Sequence, residues 1–73
     1  MDWWNLETSF RSLMEALSWF LREHGFKYEL SDCGWRRDGT WFPCWHFEIY
    51  LDHDGVETVN KYIDSISYTE VLT

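Results

Sequence analysis

Cations are scarce in this chain. Six Lys and Arg stand against thirteen Asp and Glu, a formal charge of −7 spread along the sequence rather than gathered into a tail. Contact with a nucleic-acid backbone needs a basic face, so no direct nucleic-acid binding is expected. Opposite potentials steer encounter, and the natural partner for such a surface is a larger protein with a basic face. Long apolar runs are missing too. Nothing approaches the ~20 residues of a membrane span, and the first residues lack the basic flank and apolar core of a signal peptide. The expectation is a soluble cytoplasmic protein with no membrane partner. Cysteine is limited to Cys33 and Cys44, with neither a C-x-x-C nor an H-x-x-x-H pair, and there are no repeats, linkers or low-complexity tracts.

Aromatics are abundant: six Trp, five Phe and four Tyr make up 21% of the 73 residues. A chain of this length forms one domain, residues 1–73. Such a domain buries only about 60% of the surface its unfolded form exposes. Each aromatic removes roughly 150–250 Å² from water, which lets a short chain build a core from few side chains. The clearest element is Trp41 to Asp52, WFPCWHFEIYLD. Its odd positions, Trp41, Pro43, Trp45, Phe47, Ile49 and Leu51, give one apolar face. The even positions Phe42, Cys44, His46, Glu48, Tyr50 and Asp52 give a mixed one. Pro43 cannot donate to a ladder, so regular pairing is expected only from Cys44 onward.

The remaining elements are arranged to cover that strand. In Met1–His24, Trp3, Leu6, Phe10, Leu13, Leu17, Phe20 and His24 recur at steps of three and four, which predicts a long N-terminal helix. Asp2 would cap it and Gly25 would end it. Phe26–Ser31 alternates as a half-buried strand. Asp32–Thr40 has the composition of an exposed connection between two antiparallel strands. In the DHDG corner Asp54 and Glu57 resemble a capping box. Val56, Val59, Tyr62, Ile63 and Ile66 then keep helical spacing, which predicts a second, shorter helix followed by a short strand over Ser67–Leu72. The expected fold is α+β, a long N-terminal helix packed on a small antiparallel sheet in the order α-β-β-α-β. The alternative is α-β-β-β with no second helix.

Little here points to chemistry. Cys33, Cys44, His46 and His53 offer zinc-type donors without zinc-type spacing. A Cys33–Cys44 disulfide is geometrically possible, though a cytoplasmic setting favours free thiols. Cys44 and His46 point the same way along a strand, but nucleophilic catalysis also needs a cleft and oxyanion donors. Asp52 and Asp54 lack the further oxygen ligands of a calcium loop. The chain therefore reads as a non-enzyme with no cofactor and no metal.

Binding determinants are easier to nominate. Glu48, Asp52, Asp54, Glu57 and Asp64 are expected to form one negative patch. Trp35, Arg36 and Arg37 are of the types enriched at interface hot spots. The mixed face with Lys27, Glu29, His46, Glu48 and Tyr50 is open if both helices pack on the other side. The first expectation is a small acidic inhibitor that occupies a basic, often nucleic-acid-binding surface of a larger protein. Phage-encoded inhibitors of bacterial defence, anti-CRISPR proteins among them, and immunity proteins are broadly of this size and charge. A second is a homo-oligomeric structural or regulatory domain, such as a homodimer sealed by Trp4, Trp19 and Trp41. A third is a small metal module built on the Cys and His residues.

Overall fold

The computed structural model describes the backbone from Met1 to Leu72 and the side chains from Met1 to Ile66. The elements follow as β1 (Asp2–Thr8), α1 (Arg11–Glu23), β2 (Lys27–Asp32), β3 (Trp35–Arg37), β4 (Thr40–Phe42), β5 (Trp45–Leu51) and α2 (His53–Leu72). β5 is the centre of a three-stranded sheet, antiparallel to β1 on one side and to β2 on the other, while β3 and β4 form a separate two-stranded arm.

The fold is α+β, but it does not begin with a helix, and both expected orders, α-β-β-α-β and α-β-β-β, are overturned. Over Asp2–Thr8 the two periodicities share residues. Trp3, Leu6 and Phe10 fit a helical stripe, while Trp4, Leu6 and Thr8 alternate with Trp3, Asn5 and Glu7. The strand wins because β5 lies in the middle of the sheet, and its backbone amides and carbonyls need partners along both edges. Asp2 accordingly pairs with Leu51 instead of capping a helix. The chain leaves β1 at Thr8, which is buried and whose Oγ1 accepts the Phe10 amide at 3.1 Å. Phe10 precedes α1 with extended backbone and is 65% exposed, so it drops off the expected buried stripe.

From Leu13 onward the helix forms as expected, but its buried stripe turns to Leu21, leaving Phe20 half-buried and His24 exposed past the helix end. Leu13, Leu17 and Leu21 are the buried residues of α1. At its end Gly25 adopts φ 70°. Its amide reaches the Arg22 carbonyl at 3.1 Å and the Phe26 amide reaches that of Leu21 at 2.9 Å, the paired bonds of a glycine-terminated helix.

The helix α2 starts two residues earlier than the D-x-x-E pattern implies. Asp52, not Asp54, caps it, accepting the Gly55 amide on Oδ1 at 2.7 Å, and the Val56 amide meets the Asp52 carbonyl at 3.0 Å. Gly55 is buried in this corner, where a Cβ would press on Asp52 Oδ1 and Leu51 Cδ2 at 3.1 Å. The expected strand over Ser67–Leu72 is also overturned, since the backbone stays helical to Leu72. No Gly or Pro after Gly55 interrupts the helix to end it sooner.

Both helices pack on the odd-numbered side of β5. Phe47, Ile49 and Leu51 meet Leu17, Leu21 and Val59 in one buried cluster. The two helices touch through Tyr62, which stacks on Phe20 with ring centroids 4.0 Å apart and donates its hydroxyl to the Ala16 carbonyl at 3.3 Å.

Candidate interaction surface

The even-numbered side of β5 carries no helix. Strand register sets three rows of side chains across it: Trp3, Tyr50 and Lys27; Asn5, Glu48 and Glu29; Glu7, His46 and Ser31. The first row is an aromatic and cation cluster, with the Trp3 and Tyr50 rings tilted at 49° and 5.1 Å apart and Lys27 Nζ 5.8 Å from the centre of the Trp3 ring. In the third row His46 Nε2 lies 3.1 Å from Asn5 Oδ1 and donates to it. The middle row sets Glu29 directly opposite Glu48, and neither has an ion-pair partner among the described residues. Glu29, Ser31, His46 and Glu48 line an open hollow of about 520 Å³. Like charges placed directly across two strands destabilise a sheet. The arrangement therefore carries a standing repulsion that a cation laid between the two carboxylates would remove.

The arm projects from the same ribbon. Asp32 pairs with Trp45, Cys33 lies opposite Cys44, and Trp35 pairs with Phe42, so the register established in β2 and β5 carries through to β3 and β4 without a slip. Two features hold its base. Cys33 and Cys44 form a disulfide with Cα atoms 5.0 Å apart, and Trp41 lies over Gly34, where a Cβ would collide with its indole ring. The tip is a two-residue turn with positive φ at Asp38 (53°) and Gly39 (78°), the geometry that matches the twist of the flanking strands. Asp32–Thr40 is thus mostly hairpin rather than plain connection. Trp35 stacks on Phe42 at 4.5 Å, yet Trp35, Trp41 and Phe42 remain 51%, 48% and 40% exposed. Arg36 and Arg37 are exposed beside them, with Arg37 Nε 3.9 Å from Asp38 Oδ2.

The residues expected to form one acidic patch are divided by the sheet. Asp54, Glu57 and Asp64 follow the solvent side of α2, where Lys61 neutralises Glu57 at 3.2 Å. The Asp52 carboxylate is occupied by the cap. Glu48 faces the opposite way, among Glu29, Asn5 and Tyr50. Trp35, Arg36 and Arg37 all lie on β3, but Trp35 and Arg37 share one face of the arm while Arg36 shares the other with Trp41. Sequence reasoning missed Trp3, Asn5 and Glu7, whose alternation with Trp4, Leu6 and Thr8 was the signal, and it missed Phe42, the ring partner of Trp35. With Cys33 and Cys44 bonded to each other, neither thiolate is available as a zinc ligand or a nucleophile paired with His46. No helix of the described residues is long and apolar enough to cross a membrane. Comparison with protein-family models, with curated proteins and with solved structures finds no match for this chain.

Proposed function

We propose that this chain is a non-enzymatic antagonist that binds a basic surface of a larger protein, laying the uncovered face of its sheet against it. The observation that carries the reading is the unneutralised pair Glu29 and Glu48 at the middle of that face, next to the Trp3 and Tyr50 rings. A lysine or arginine entering the hollow relieves the repulsion and meets aromatic faces suited to a cation. The arm supplies a second contact of the residue types that dominate interface energetics, already stiffened by its bridge and its ring stack. The size and charge of the chain are compatible with a phage-encoded anti-defence or immunity-type role. A cytoplasmic site of action belongs to the same reading and sets a condition. A reducing cytosol opens accessible disulfides, so there the arm would work with its base held by Trp41 on Gly34 and by the Trp35–Phe42 stack.

An arginine-rich peptide serves as the probe. In an NMR titration the shifts should concentrate on Glu7, Glu29, His46, Glu48 and Trp3, and binding should weaken steeply with salt. E29Q/E48Q should reduce affinity about tenfold, the loss expected for charge-assisted contacts, while E57Q/D64N should change it little. Equal losses in the two variants, or an affinity indifferent to salt, would overturn the proposal.

A further inference from the structure

β1 is an edge strand whose outer backbone meets no other strand among the described residues. Natural edges are commonly blunted by proline, lysine, a bulge or a covering element. β1 has a regular seven-residue register, DWWNLET, with no proline, no cation and no bulge. It also holds two large exposed rings, Trp3 at 45% and Trp4 at 48%, one on each face of the sheet. On the helix side an apolar groove of about 120 Å³ runs between β1 and α2, bounded by Trp4, Leu6, Val59 and Ile63. Among the described residues, Trp4 at its rim is left half exposed.

We propose that two copies of the chain pair β1 with β1, antiparallel about a two-fold axis at Asn5, joining two three-stranded sheets into one of six strands. The register is dictated by the sequence itself. Side chains alternate along a strand, so residues of equal parity must face each other if the helices of both copies are to lie on the same side. Among such registers, only the one centred on Asn5 pairs all seven residues of β1. It sets Asp2 against Thr8, Trp3 against Glu7, Trp4 against Leu6 and Asn5 against itself, so no carboxylate faces another although the strand has two. Trp4 of the second copy then crosses Leu6 at the mouth of the groove. Glu7 of the second copy comes beside the Trp3 ring over which Lys27 already lies, bringing that ammonium to a carboxylate. The interface takes up only the β1 margin of the even-numbered face and leaves Glu29 and Glu48 uncovered, so it does not rest on the antagonist reading.

Sedimentation equilibrium from about 5 to about 300 µM, a range suited to a small strand-edge interface, should show the mass rising from 9.0 kDa toward twice that value. Because each copy carries −7, added salt should strengthen this association, the reverse of its effect on peptide binding. N5K places two ammonium groups at the axis and should weaken dimerisation at least tenfold while the circular dichroism spectrum is retained. N5C should form a covalent dimer on mild oxidation, and E29C, on the other edge strand, should not. A monomer at every concentration, a dimer untouched by N5K, or equal cross-linking of N5C and E29C would overturn the proposal.

Discussion

Replacing Glu48 by Gln should stabilise the fold. Carboxylates on directly opposed positions of neighbouring strands lie roughly 6 Å apart, and at that distance two like charges in water repel by about 0.7 kcal/mol. Screening over ~8 Å at physiological ionic strength reduces this to about half. Glutamine keeps the size of the side chain and removes the charge, so the gain is the repulsion itself. For a domain of this size a melting temperature moves by about 4–8 °C per kcal/mol, which gives a rise of about 3–6 °C at low salt and about half that near 0.15 M. Thermal melts followed by circular dichroism, with the Cys33–Cys44 bridge intact, measure it directly. E29Q should behave alike, and E29Q/E48Q should gain little over either single change, because removing one carboxylate already ends the repulsion. A fall in melting temperature for E48Q, or a rise that persists undiminished in molar salt, would refute the electrostatic account of this face.

Two further outcomes follow from the corner and the arm. Loss of a side-chain helix cap costs about 1 kcal/mol. D52A should therefore lower the melting temperature clearly, whereas D54A, which removes only a favourable charge from the first turn, should cost a few tenths; equal effects would return the cap to Asp54. C33S/C44S opens a loop with a sequence separation of 11. Chain entropy puts the cost at about 3 kcal/mol, to be read as a lower urea midpoint that reductant reproduces in the wild type; a midpoint unmoved by either treatment would count against the bridge.

Much of the central scaffold was legible in the sequence. Lys27–Asp32 and Trp45–Leu51 alternate cleanly; Phe47, Ile49 and Leu51 are core, while in β2 Tyr28 is half-buried and Leu30 stays exposed at the sheet edge. The DHDG corner announced a helix, but its D-x-x-E spacing pointed to Asp54 as the cap, and what gives the role to Asp52 is how tightly the corner turns onto Leu51. β1 was hidden because seven residues are too few to separate a period of two from one of 3.6, and what decides is a strand more than forty residues away. The arm was half visible: Asp38-Gly39 between Trp-Arg-Arg and Thr-Trp-Phe is a hairpin signal that composition alone dissolved into a loop. As for the acids, the even number of Glu48 in a strand whose odd residues are core already set it on the side away from α2. Proximity along the chain to Asp52 and Asp54 was a poorer guide than parity.

The unbroken register from Lys27 through Phe42 to Tyr50 limits how the arm can vary in length. Lengthening each strand by a single residue would carry the Trp35–Phe42 pair to the opposite side of the ribbon, while two residues per strand would restore it. Related chains that keep the same working side should therefore differ in arm size by multiples of four residues, and any that differ by two should have moved their aromatic pair by one position to compensate.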